Sequence, residues 1–163
     1  MPRQRFASIA ALIDADENGQ LDDSTFDDEL WSLLVERIST PQEATLFARP
    51  VQLYYASRFL QWEVGNGGFA QAAYNIPEWF DLAAAGYDEL GLGSFAALIR
   101  EATSLVPTEV ASFDATQIGE LFAQFAESGL ASLDRRLGEI VWEADVRRIQ
   151  YVRENRVAFR AVA

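Results

Sequence analysis

Apolar positions recur along the chain at the three- and four-residue spacing of amphipathic helices, and no stretch alternates as a half-buried strand would. Helix-stopping residues such as the Asn18-Gly19 pair and Pro77 divide this pattern into segments of ordinary helix length. The longest segment begins at Leu130 and runs towards Phe159. The pattern predicts an all-α fold, in which one compact domain over residues 1–163 holds about seven to nine helices and a long C-terminal helix.

The sharpest interruption of the pattern lies between Phe59 and Asn75. An apolar run that reaches Val64 meets Gly65-Asn66-Gly67-Gly68, and a second run begins at Phe69. Glycine and asparagine tolerate positive φ, so this cluster predicts a tight elbow between two packed helices. The polar residues nearest the elbow are expected to bond the freed backbone ends. They are Glu63, Asn66 and Gln71.

The same stretch resembles the signature of a protein family. The residues that carry the resemblance are Glu63-Val64-x-Asn66-Gly67-Gly68-Phe69-x-Gln71 and Tyr74-Asn75. They are similar to the core motif of a family of small, acidic, all-helical bacterial DNA mimics, although Ala72-Ala73 stands where bulkier aromatic residues are expected. The resemblance implies a dimeric protein that resembles DNA in its charge pattern and blocks a transcriptional regulator from its operator.

The charge distribution agrees with a protein partner of basic character. The chain carries 25 acidic residues against 13 basic ones, a net charge of −12. Residues 6–134 hold 21 carboxylates against four arginines, whereas residues 135–160 hold seven arginines against four carboxylates. An acidic body repels nucleic acid and attracts basic protein surfaces, so we expect a basic protein partner and no direct contact with nucleic acid. The resemblance implies that this partner is a DNA-binding protein. Acidity that serves only solubility is the alternative.

Two missing residue types restrict the chemistry. The chain has no cysteine and no histidine, which excludes thiolate nucleophiles, Ser-His-Asp hydrolysis and histidine-ligated zinc within this chain. We therefore expect a binding protein rather than an enzyme. No apolar run approaches the roughly 20 residues of a membrane helix, and the N-terminus lacks the pattern of a signal peptide, so a cytoplasmic protein without membrane contact is expected.

The carboxylates of a mimic surface are expected in two stretches. Asp81 and Asp88 are seven residues apart and share a helix face, with Glu78 on the same side. Each carboxylate taken alone is better explained as part of an ordinary solvated helix face. The predicted partner-binding set is Asp22, Asp23, Asp27, Asp28, Glu29, Glu78, Asp81, Asp88 and Glu89.

Residues 14–25, within the first acidic stretch, also resemble an EF-hand loop. Residues 14–29 hold eight carboxylates and no basic residue, and the predicted ligands are Asp14, Asp16, Asn18 and Asp22. Thr25 stands where a bidentate glutamate is needed, so any calcium binding should be weak, and no cofactor is otherwise required. The alternative is an Asn-Gly helix stop followed by a solvated acidic turn.

Three functions remain open at this point. The first is a DNA mimic, which could act as a homodimer. The second is a calcium-binding helical protein. The third is an immunity or antitoxin-type protein that neutralises a basic toxin, and it shares its physics with mimicry.

Overall fold

A computed structural model describes residues 6–106, 112–125 and 129–162, and these residues form helices and connecting turns without a strand. The helices are α1 (Ile9–Glu17), α2 (Asp23–Val35), α3 (Pro41–Ala44), α4 (Arg49–Asn75), α5 (Phe80–Glu89), α6 (Gly93–Leu105), α7 (Ala115–Phe125), α8 (Leu130–Glu154) and α9 (Arg156–Arg160), with a 3₁₀ helix over Pro77–Trp79. The predicted all-α class and the long helix near the C-terminus are confirmed. In the described ranges no helix is both long and apolar enough to cross a membrane.

Side-chain caps fix where several helices begin. The Asp22 carboxylate accepts the Thr25 backbone N–H at 2.8 Å before α2, and the hydrogen bonds from Thr25 lower the pKa of Asp22. Thr40 and Glu43 form a capping box around Pro41 at the start of α3. Asp114 accepts the backbone N–H of Gln117 at 2.9 Å at the start of α7. These caps satisfy backbone donors that the first helical turn leaves without a partner.

The chain forms two compact units, which are described separately. The first comprises Met1–Tyr55 and Asp145–Ala163, and the second comprises Ala56–Ala144. Helices α4 and α8 each contribute residues to both units. The expectation of a single domain over residues 1–163 stays a prediction.

Aromatic side chains build the core of the first unit. Tyr54 is fully buried and meets the Phe159 ring edge-on, with 5.7 Å between ring centroids. Tyr55 stacks on Trp31 with 5.1 Å between centroids, and its hydroxyl donates to the Ile38 carbonyl at 2.6 Å. Burial, with a smaller contribution from a nearby carboxylate, raises the pKa of Tyr55 to about 12. Phe159 therefore packs α9 against α4, and α9 also packs against α1.

In the second unit, aromatic contacts fix the position of α5. Tyr87 stacks on Phe95 of α6 with 4.8 Å between centroids, and its hydroxyl donates to the Ser57 carbonyl of α4 at 3.1 Å. Trp79, just before α5, is fully buried and meets Phe59 of α4 edge-on at 5.6 Å. One face of α5 is thus held against α4 and α6, and the opposite face lies at the surface.

Candidate functional site

The predicted elbow forms within α4, at Gly67 and Gly68. The backbone of Gly68 has φ 77° and ψ −180°, a combination that is essentially restricted to glycine. A Cβ atom at Gly68 would lie 2.5 Å from Oδ2 of Asp134 in α8, and one at Gly67 would lie 2.0 Å from Oε1 of Gln71. Conformation requires a glycine at Gly68, and close approach by neighbouring side chains requires a very small residue at both positions.

The freed helix end at the elbow is capped by a residue that sequence analysis did not assign to it. Asp134 Oδ1 accepts a hydrogen bond from the backbone N–H of Phe69 at 2.8 Å, so a carboxylate from α8 caps the N-terminus of the second half of α4. Burial raises the pKa of Asp134, and the hydrogen bond from Phe69 acts in the opposite direction. No local sequence signal points to this pair, because the two residues are 65 positions apart.

The local polar residues of the motif take other roles. Buried Glu63 accepts a hydrogen bond at 2.8 Å from the side-chain amide of Asn75, which joins the two halves of α4. Gln71 lies against Gly67, and Asn66 is exposed. The expectation that Glu63, Asn66 and Gln71 cap the freed backbone is therefore corrected: the described cap on Phe69 is Asp134.

In the first unit, arginines from α8 and α9 neutralise much of the N-terminal acidic run. Arg153 binds Asp16 through two hydrogen bonds, Nη2 to Oδ1 at 2.7 Å and Nε to Oδ2 at 3.1 Å. The same Nη2 contacts Asp23 Oδ1 at 2.7 Å. The Asp16 side chain is only 3% exposed, and its hydrogen bond is the largest cause of the raised pKa of Arg153.

Two further arginines extend this network. Arg156 lies 3.5 Å from both Asp16 and Glu17, and Arg160 lies 2.6 Å from Asp14 and also contacts Glu17. We call Arg153, Arg156 and Arg160 the arginine clamp. Four carboxylates (Asp14, Asp16, Glu17 and Asp23) and three arginines leave this network with a net charge of −1. Most of its negative charge is therefore compensated within the unit.

The predicted calcium ligands contact the arginine clamp or the ends of α1 and α2. Asp14 and Asp16 lie in α1 instead of a loop, the Asn18 side chain donates to the Asp14 carbonyl at 2.8 Å, and Asp22 caps α2. This is the helix-stop alternative, with Gly19 at φ 66° directly after the C-cap Asn18. Within the part of the chain that the structure describes, no three His, Cys, Asp or Glu side chains are grouped to hold a metal ion. Calcium binding stays a prediction, with arginines as competitors for two of its ligands.

The predicted partner surface divides between the units. In the first unit, Asp22 and Asp28 are exposed, Glu29 is partly exposed and Asp23 contacts Arg153. Asp27 differs from the expectation of a surface position, because it is 7% exposed and accepts the Tyr54 hydroxyl at 2.7 Å. Its position on the inner face of α2 explains this burial, and Asp27 serves the core.

In the second unit, the predicted carboxylates all lie at the surface of one short segment. We call the four of them, on α5 and the turn before it, the α5 acidic stripe: Glu78, Asp81, Asp88 and Glu89. Asp81 and Asp88 are separated by about 10.5 Å along the helix axis, at 1.5 Å per residue. Asp88 contacts Arg100 of α6, and this hydrogen bond is the largest cause of the raised pKa of Arg100. The charges of Asp88 and Asp81 act in the same direction on Arg100.

A glycine-based cap ends α5 directly after the stripe. Gly91 has φ 74°, the Leu92 N–H donates to the Tyr87 carbonyl at 2.8 Å, and the Gly91 N–H donates to the Asp88 carbonyl at 3.0 Å. This Schellman arrangement places Asp88 and Glu89 in the last helical turn. The carboxylates therefore sit at the negative end of the helix dipole, where acidic residues are unfavourable.

Comparison with known proteins supplies the family. A model of the DMP19-like protein family matches residues 45–155, which is more than half of the chain and includes the elbow, α5 and all of α8. Searches of curated proteins and of solved structures found no significant match. The chain belongs to the DMP19-like protein family, a family of DNA mimics.

Proposed function

We propose that this protein is a DNA mimic whose α5 acidic stripe occupies the basic DNA-binding surface of a transcriptional regulator or another nucleic-acid-binding protein. The observation that carries the proposal is the exposure of Glu78, Asp81, Asp88 and Glu89 on one segment of a DMP19-like protein. A partner bound there would be excluded from its own DNA contacts.

The charge density of the stripe supports this role. Residues 78–89 span about 18 Å at the rise of an α-helix and carry four carboxylates, or one per 4–5 Å. A single DNA strand carries one phosphate per about 3.4 Å of helix axis. The stripe therefore approaches the density of one strand, although not that of a duplex.

Glu89 occupies a position where a carboxylate is unfavourable for stability, and no described contact compensates it as Arg100 compensates Asp88, which favours a functional reason for its presence. Asp88 and Glu89 occupy the last turn of α5, where basic residues would interact favourably with the helix dipole and none is found. An acidic residue in such a turn costs a few tenths of a kcal/mol up to about 1 kcal/mol. Solubility alone does not require carboxylates at this end of the helix.

The stripe is also held in place before any partner arrives. Tyr87 anchors α5 to α4 and α6, and buried Trp79 anchors the turn before it. A preorganised surface loses less conformational entropy on binding than a flexible one. Because the contacts are electrostatic, association should be fast at low salt and should weaken as salt screens the charges.

We further propose that the protein acts by binding, without catalysis, and in the cytoplasm, where DNA-binding regulators are found. A homodimer with two-fold symmetry would present two copies of the stripe.

A capture experiment tests the proposal. The tagged protein is incubated with native cell extract at about 50 mM and about 500 mM salt, and retained proteins are identified. We expect basic DNA-binding proteins at low salt and their loss at high salt. A variant that neutralises the stripe (Glu78→Gln, Asp81→Asn, Asp88→Asn, Glu89→Gln) should retain much less.

A matched control removes the same number of charges from exposed positions elsewhere. It carries Glu36→Gln, Glu120→Gln, Glu139→Gln and Glu154→Gln. Equal losses in the two variants, or partners that resist salt, would contradict the proposal. Recovery of a basic toxin without DNA-binding activity would favour the immunity or antitoxin alternative.

A further inference from the structure

One cation lies directly at the α5 acidic stripe. Arg100 on α6 places its Nη2 on Asp88 Oδ2, and both side chains remain substantially exposed, at 57% and 46%. The negative charge of Asp81, a second member of the stripe, also raises the pKa of Arg100, although less than the hydrogen bond from Asp88 does. Arg100 therefore compensates charge at a surface that the proposed function needs to be negative.

The contact between Arg100 and Asp88 has the same chemistry as the contact that an arginine of a basic partner would make. A guanidinium is a planar donor fork that suits carboxylates, and DNA-binding proteins present rows of such groups. An arginine of a basic partner that approached Asp88 would meet an oxygen that Arg100 already uses. Partner binding at Asp88 then requires that the partner displaces Arg100 or shares the carboxylate with it.

A second exposed ion pair on α6 shows what is particular to Arg100. Arg136 of α8 contacts Glu101 of α6 at 3.2 Å, with both side chains 51% exposed. Glu101 is not a member of the stripe, so this pair leaves the stripe carboxylates unchanged. Only the Asp88 contact, among the ion pairs described for the second unit, involves a stripe carboxylate.

We propose that Arg100 is an internal competitor that lowers the affinity of the α5 acidic stripe for basic partners, acting through Asp88. This role of Arg100 rests on the proposed function and names the residue that sets its strength. Removal of the guanidinium leaves Asp88 available and makes the stripe more negative by one charge. The variant should then bind basic ligands more tightly than the unaltered protein does, whereas deletion of an ion pair usually removes a favourable interaction.

The test uses a fluorescently labelled deca-arginine peptide as the basic probe, with dissociation constants from anisotropy at about 50 mM salt. Arg100→Gln should bind the probe about two- to fivefold more tightly than the unaltered protein, the range expected for one exposed ion pair. Arg100→Ala is a second variant that removes the same donor. Thermal melts followed by circular dichroism confirm that each variant is folded.

Arg147→Gln is the matched control, because Arg147 is an exposed arginine on α8 and its loss changes the net charge equally. We expect a smaller gain in affinity from this control. Equal gains in Arg100→Gln and Arg147→Gln would overturn the role of Arg100, since only the total charge would then matter.

A double-mutant cycle with Asp88→Asn separates competition from long-range attraction. If Arg100 competes for Asp88, Asp88→Asn weakens probe binding more in the Arg100→Gln background than in the unaltered chain. Additive effects would overturn competition. The proposed function fails by a different readout, namely if the unaltered protein displaces no DNA from a DNA-binding protein, whatever the deca-arginine measurements give.

Discussion

The capping of the α4 elbow by Asp134 leads to a quantitative prediction. Asp134→Ala removes the acceptor of the Phe69 N–H, a bond of 2.8 Å to a residue that is fully buried. Loss of an N-cap costs about 0.5–2 kcal/mol, and a buried donor without a partner costs about 1–3 kcal/mol. These ranges describe the same bond and are not added. Removal of a carboxylate whose pKa is raised by burial offsets part of the loss.

We therefore expect Asp134→Ala to lower the free energy of unfolding by about 1–2 kcal/mol, because the lost cap outweighs the relieved desolvation. For a chain of this size the melting temperature should fall by about 2–8 °C. Urea denaturation followed by far-UV circular dichroism measures the change. Hydrogen exchange of the Phe69 amide provides a local readout, which should accelerate by more than that of amides elsewhere in α4.

Asp134→Asn is the control, since its amide oxygen can still accept the Phe69 N–H and should keep most of the stability. An Asp134→Ala protein with unchanged stability and an equally protected Phe69 amide would refute the assigned cap. Equal losses in the two variants would assign the effect to charge instead of to the hydrogen bond.

The elbow glycine, the arginine clamp and the Asp134 carboxyl can each be tested by a stability measurement. Gly68→Ala should destabilise the protein by about 2–4 kcal/mol in urea melts, because Gly68 has a positive φ and Asp134 lies close to it. Gly138→Ala, in an open helical position of α8, should be neutral or stabilising. Equal effects of the two substitutions would contradict the requirement for glycine at Gly68. Arg153→Met should cost about 3 kcal/mol because it leaves Asp16 buried with one fewer cation, and a loss below 1 kcal/mol would show that the arginine clamp is not structural. Because the pKa of Asp134 in the folded chain is raised above 3.8, the folded chain holds this proton to higher pH than the unfolded chain does. The contribution of this protonation to the free energy of unfolding is therefore fully present below pH 3.8 and is lost as pH rises through the folded-state pKa. Unfolding measured over a range of pH should show this decrease in the unaltered protein but not in Asp134→Asn.

The helical architecture could be predicted because it depends on local patterns. Apolar spacing, the Thr40–Glu43 capping box and the glycine at Gly91 act within a few residues, and the structure forms helices at each of these places. The elbow was predicted for the same reason, since Gly67 and Gly68 interrupt the apolar pattern.

Contacts between residues far apart in the chain could not be predicted from the sequence. The cap on Phe69 comes from a carboxylate 65 residues away, and no spacing rule connects the two. In sequence, the acidic run 14–29 is a uniformly negative segment. Arg153 and its neighbours, which follow about 130 residues later in the chain, nevertheless form ion pairs with much of it. Asp27 shows the same limit, because its burial depends on Tyr54. Charge density in sequence therefore does not tell exposed carboxylates from paired ones.

We propose that the α5 acidic stripe competes with DNA for a basic protein surface. The most direct test measures inhibition of duplex DNA binding by a captured DNA-binding protein, at fixed salt, for three proteins: the unaltered chain, the stripe-neutral variant and the matched control variant. We predict that neutralising the stripe raises the inhibition constant at least about tenfold, as expected for four weakened charge contacts, while the control changes it by less than about threefold. Equal inhibition constants for the two variants, or no inhibition by the unaltered protein, would contradict the claim.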